Sequence, residues 1–165
     1  MKDTDLKINE LQDGFTVEVS GRANFDYAVP LRALGDKITA GVWLQFDMTN
    51  CETMDSTFMG VLTMLALKLR KNNAKIQMVN AGEQVVRLLR DLGVAKLFNF
   101  VNGDGSKVNS GTAVNFCSCN SMLDTAKTVV EAHKALVGAD ESNAAKFDKV
   151  IEFAEQDVER LKKEE

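Results

Sequence analysis

The chain has 165 residues, a formal net charge of −4 and 45% hydrophobic residues, enough for one domain, or for a domain of about 100 residues with an appendage. That apolar content excludes disorder over most of the length. The acidic balance, without any lysine or arginine cluster, excludes nucleic acid as the default partner, because phosphate binding needs a basic stripe. Met1–Leu6 shows no apolar core of a secretory signal, and three cysteines, Cys51, Cys117 and Cys119, are an odd number. Together these predict a reduced cytoplasmic protein. The run Phe58–Leu67 is too short for a membrane span and carries Gly60 and Thr63, so no membrane association is expected.

Apolar and polar residues alternate in Leu6–Leu11 and in Phe15–Ser20, which predicts two half-buried strands joined as a hairpin by Gln12-Asp13-Gly14. Gly21–Asn24 breaks the pattern, and Phe25–Ile38 is compatible with a short helix if Pro30 falls in its first turn. Val42–Met48 is apolar at nearly every position and is expected to be central in the sheet. Asp55, Ser56 and Thr57 follow, all candidate helix caps, since a short side-chain oxygen can accept from free backbone N–H groups. From Phe58 to Leu69 the sequence is apolar almost all round a helix, so that helix must be covered on more than one side.

Lys75–Asn80 is the next strand. A helix opening at Ala81 carries Val85, Val86, Leu88, Leu89 and Leu92, with Gly93 just past its end as a cap, and Leu97–Val101 is a last short strand. The order strand, strand, helix, strand, helix, strand, helix, strand implies a sheet with parallel right-handed crossovers and helices largely on one face.

Residues 102–119 have the composition of a linker loop. Gly103-Asp104-Gly105-Ser106 lacks the form of a phosphate-binding loop, and Cys117-Ser118-Cys119 has no second Cys/His pair nearby to make a metal site. Beyond it, Met122, Leu123, Ala126, Val129, Val130, His133, Leu136 and Val137 recur at helical spacing, as do Phe147, Val150, Ile151, Ala154, Val158 and Leu161. This predicts a helical hairpin over residues 120–165. Its stripes would pack on each other and on the first domain, or on a second chain in a homodimer. His133, the one histidine, lies on an apolar face and reads as core-edge packing, because no nucleophile or acid stands at a telling distance in sequence. No catalytic set, metal-ligand spacing or cofactor motif is present, which points away from an enzyme.

The element order together with Met54-Asp55-Ser56-Thr57-Phe58-Met59-Gly60 resembles the STAS domain of bacterial anti-sigma factor antagonists. The family pattern is Asp-Ser-(Ser/Thr)-Gly-x-Gly at the start of a helix after a central strand. Gly21 before the first helix and the Gly82, Leu92-Gly93, Leu97-Phe98 ending extend the resemblance over about residues 6–101. It implies an α/β fold, a STAS-like mixed β-sheet with helices mainly on one face, over residues 1–101. A linker loop (102–119) and a C-terminal α-helical hairpin (120–165) would complete the chain.

The resemblance also implies a signalling role. Ser56, with Thr57 as the alternate, would be phosphorylated by a protein serine kinase that is also an anti-sigma factor. The unmodified chain would bind that kinase, the phosphorylated chain would be released, and a PP2C-type phosphatase would reset it. Asn24, Asp55, Ser56, Thr57, Phe58, Met59 and Leu62 would form the partner-binding region. Two residues depart from the family: Phe58 stands where the first motif glycine belongs, and Asn24 where an acidic residue is usual. Residues 120–162 could also gate access to Ser56. The rival expectation is a scaffold module that assembles an oligomer or a sensory or transport complex, with Ser56 only a cap. A small-ligand binder, for instance for a nucleotide, is the third.

Overall fold

The computed structural model describes residues 5–103, 112–114 and 121–164. Strands β1 (Asp5–Leu11) and β2 (Gly14–Ala23) pair antiparallel across the Gln12-Asp13 turn. β2 then pairs parallel with β3 (Trp43–Met54), β3 with β4 (Ile76–Val79) and β4 with β5 (Phe98–Val101). A sixth strand, β6 (Thr112–Val114), joins the free edge of β1 antiparallel, giving the order β5-β4-β3-β2-β1-β6. β6 falls inside the segment expected to be a linker loop. Cys117 and Cys119 lie outside the described residues.

The two faces of the sheet follow from the period of two along each strand. On one face Phe15 stands beside Leu44, and Val17, Phe46 and Met78 are neighbours across three strands, all buried. On the other, Thr16, Gln45, Gln77 and Asn99 form a polar row, with Asn99 Nδ2 donating to Gln77 Oε1 at 3.0 Å. The apolar face is the one that has to be covered, and the helices gather there.

Two strands run further than their alternation suggests. β2 does not stop at Ser20 but pairs on through Gly21, Arg22 and Ala23, with register irregularities after Glu18 and after Gly21, where φ is 76°. β3 likewise continues past Met48 to Met54, held by the far end of β2. The consequence is that both strands end side by side, at Ala23 and Met54.

Helix α1 (Phe25–Leu34) contains Pro30 at its sixth position, beyond the first turn where it was expected. The missing proline N–H deprives the carbonyl of Asp26, an exposed residue, and water can replace it. Helix α2 (Ser56–Arg70) buries ten of its fifteen residues, so it is covered on more than one side. α3 (Glu83–Asp91) ends as read, with Gly93 at φ 71° in the left-handed region that its cap requires.

The second cover of α2 is α4 (Met122–Ala139). The two helices touch through their backbones: a Cβ placed on Gly60 would lie 2.6 Å from the Cβ of Ala132. Ala132 and Leu136 of α4 belong to the main core, whereas Leu123 and Ala126 form a small cluster with Leu161 of α5 (Ala144–Lys163), flanked by Val158. Arg32 of α1 pairs with Glu131 of α4 through both forks, Nη2 lying 3.0 Å from Oε1. Buried Asn143 donates from Nδ2 to the carbonyls of Leu92 and Leu136, each at 2.9 Å, and Lys146 Nζ reaches the carbonyl of Asp91 at 3.1 Å. The hairpin is therefore packed on the first domain and on itself.

The Gly60–Ala132 contact can be tested directly. Alanine favours a helix over glycine by roughly 0.8–1 kcal/mol, but here its methyl must displace a neighbouring backbone. Gly60→Ala is therefore expected to lower stability by about 1–3 kcal/mol overall, read as a shift in the urea midpoint.

Candidate functional site

The ends of β2 and β3 place two capping residues next to each other. Asn24 caps α1, its Oδ1 accepting from Asp26 N at 3.0 Å. Asp55 caps α2, its Oδ1 accepting from Phe58 N at 2.8 Å, while its own N–H donates to the Ala23 carbonyl at 2.9 Å. The backbone N–H groups of Phe25 and Thr57 also act on the Asp55 carboxylate, so one side chain ties together the starts of both helices. Burial raises the Asp55 pKa above its ordinary value; those N–H groups and the nearby His133 ring oppose the shift without cancelling it.

Because Asp55 is the cap, Ser56 is already the first residue of the helix and does not act as its cap. Its hydroxyl goes elsewhere. Ser56 Oγ lies 2.8 Å from His133 Nε2, and His133 Nδ1 lies 2.7 Å from the carbonyl oxygen of Val129. A carbonyl only accepts, so Nδ1 carries a proton. In the neutral ring Nε2 is then the acceptor and Ser56 donates to it. The ring is 2% exposed and meets Phe147 edge-on, centroids 5.0 Å apart.

This corrects the reading of His133 as plain packing with no nucleophile near it. The partner was invisible because it lies 77 residues away in sequence. The signal that could have found it is a lone imidazole on an apolar helix face, since buried ring nitrogens need partners and the buried helix α2 offered hydroxyls. Chemically, the arrangement is a serine hydroxyl held against an imidazole nitrogen. The ring is oriented by a backbone carbonyl, and no hydrogen bond joins it to the Asp55 carboxylate among the described residues.

The structure divides the expected partner-binding set in two. Asn24, Asp55 and Ser56 are half-buried at one end of the helix layer. Thr57 (7% exposed), Phe58 (0%), Met59 (5%) and Leu62 (0%) are enclosed between the sheet and the neighbouring helices, and present no surface in this conformation. Phe58, the departure from the motif glycine, gives its amide to Asp55 and its ring to the core. Asn24, the other departure, performs as an amide the cap that a carboxylate would perform. An exposed aromatic that sequence reasoning did not single out, Phe25 at 47%, stands beside it. On β3, burial pushes the Cys51 thiol up to about 11, so it is not a reactive group.

Comparison with known proteins adds the following. The family described as Mlab, STAS domain, matches residues 7–101. Among solved structures, the anti-sigma factor antagonist SpoIIAA in its unphosphorylated form aligns with a TM-score of 0.54 at 12% identity, over 62% of this chain and 91% of that one. A candidate anti-sigma factor antagonist from Thermotoga maritima aligns with a TM-score of 0.48 at 16% identity, over 63% and 89%. The likeness to SpoIIAA is one of fold. No curated protein matches the chain. Among the described residues, no helix is long and apolar enough to cross a membrane.

Two measurements check the site. The raised Asp55 pKa means that its contribution to stability is complete below the unfolded value of 3.8 and is lost as pH rises through the higher native value. The stability of the wild type relative to Asp55→Asn should therefore fall as pH rises from 3.8 and then level off, while Asp55→Ala costs about 1 kcal/mol through loss of the cap. Second, ring-nitrogen chemical shifts should show His133 protonated at Nδ1. An Nε2–H tautomer would contradict the hydroxyl-to-imidazole direction.

Proposed function

The chain belongs to the STAS domain family, and from that premise we propose that it is a phosphorylatable signalling switch of the anti-sigma factor antagonist type. In the unmodified state it binds a protein serine kinase that is also an anti-sigma factor. Phosphorylation of Ser56 releases that partner, and a PP2C-type phosphatase restores the first state. The observation that carries this reading is the position of Ser56: the first residue of the central helix, directly after Asp55 and the end of β3, with its hydroxyl hydrogen-bonded and the residue half-buried. Thr57 is a poorer acceptor because it is 7% exposed.

The chemistry of the position supports a charge switch. A phosphate brings about −1.5 to −2 charges at neutral pH. The start of a helix tolerates negative charge through its free N–H groups and its partial positive end. A partner surface resting there would meet a new charge and a desolvation cost, so binding can be lost while the sheet is kept.

The burial of Thr57, Phe58, Met59 and Leu62 favours a second reading, in which the domain is a scaffold within a larger assembly and Ser56 only serves α4. The two part on one experiment. Under the first, phosphopeptide mapping after incubation with an anti-sigma-type serine kinase places the label on Ser56, and Ser56→Ala removes it. Under the second, Ser56 stays unlabelled and Ser56→Ala leaves every association of the chain unchanged.

A further inference from the structure

We infer that phosphate on Ser56 and the docked position of α4 exclude one another, with His133 as the residue that couples them. This rests on Ser56 being the modified group and goes beyond it: the modification would act on the chain's own C-terminal hairpin as well as on a partner.

The geometry leaves no place for the phosphoryl group. Ser56 Oγ and His133 Nε2 are 2.8 Å apart, a distance filled by one hydrogen atom. The ring cannot turn aside, because Nδ1 is held by the Val129 carbonyl at 2.7 Å and Phe147 meets it edge-on, centroids 5.0 Å apart. Phosphorylation replaces the Ser56 O–H bond with an O–P bond, so the donor that Nε2 accepts from is gone, and three acceptor oxygens take its place. Rotating the phosphate toward solvent relieves the crowding but leaves a nitrogen of a 2%-exposed ring without a donor, which costs the desolvation of that group. Either way the 2.8 Å hydroxyl-to-imidazole contact between α2 and α4 is lost, and the Asp55 carboxylate next door adds like-charge repulsion.

α4 cannot absorb this by a small local shift. The residue before His133 is Ala132, whose carbonyl and Cβ occupy the space where a Gly60 side chain would be. The polar contact and the closest approach of the two backbones thus sit on consecutive residues, and moving one moves the other. The Arg32–Glu131 pair on the same turn is part-solvated, with side chains 30% and 43% exposed, and such pairs hold weakly. Lifting this turn uncovers Gly60 of α2, the neighbour in sequence of Met59 in the expected partner-binding set. The docked turn, in turn, keeps the Ser56 hydroxyl committed to Nε2.

The test uses the full chain with phosphoserine genetically encoded at position 56, so it does not depend on finding a kinase. Hydrogen exchange of residues 129–136 is expected to quicken at least tenfold relative to the unmodified chain, with β2, β3 and β4 unchanged. Unchanged exchange in α4 overturns the inference, and so does loss of protection throughout the sheet. In Gly60→Ala, where packing alone lifts α4, phosphoserine should add less than twofold; a full additional tenfold overturns the coupling. Failure of a kinase to label Ser56 is a separate result, which bears on the proposed function and leaves this measurement to decide the inference.

Discussion

Where α4 crosses α2, Gly60 has room for a hydrogen atom and nothing larger. That restriction sets the rest of the helical layer. A close backbone approach lets Ala132 and Leu136 reach the main core, brings His133 within hydrogen-bonding distance of Ser56, and puts Glu131 beside Arg32. A larger residue at either crossing position would hold the helices apart and undo all three at once. Interiors packed to this density respond to added volume by moving whole elements, which is why a single methyl matters here.

The same layer explains how an unusually apolar helix is kept soluble within the fold. α2 buries Phe58 and Leu62 completely and meets α4 with Gly60, and only Lys68 and Arg70, in its last turn, are exposed. Its polar start is handled by Asp55 rather than by Ser56, and that division of labour frees the serine hydroxyl. A serine that had to cap its own helix would have its oxygen occupied by a backbone N–H. Here it is available to reach across to another element.

Much of this architecture was legible in the residues, and the parts that were not share a cause. The period-two strands β1 and β2, the apolar run of β3, the capped helix α3 with Gly93 behind it, and the two apolar stripes of the hairpin are local patterns, and local patterns can be read one segment at a time. β6 could not be read, because Thr112-Ala113-Val114 has no period of its own and becomes a strand only by lying on the open edge of β1. The extension of β3 to Met54 likewise comes from its neighbour β2. At the site, three oxygen-bearing residues in a row, Asp55, Ser56 and Thr57, were equivalent as caps on paper. The end of the strand pairing at Ala23 and Met54 selected Asp55. The Ser56–His133 bond joins the motif to a segment beyond the matched family region, so no reading confined to residues 7–101 could contain it.

The hairpin is fastened at a second place, far along the chain from the serine. Asn143 bridges the carbonyls of Leu92 and Leu136, and Lys146 closes on that of Asp91, so the last turn of α3 is finished by side chains from the hairpin's bend. A hasp with two pins does not fall away when one is drawn. With this end still engaged, a lifted α4 would swing on the bend and remain at high local concentration over the face it left. Its return would then be an intramolecular event, with no dependence on how much of the protein is present. The buried amide of Asn143 would then serve as a hinge pin, and closure would be a property of the single chain.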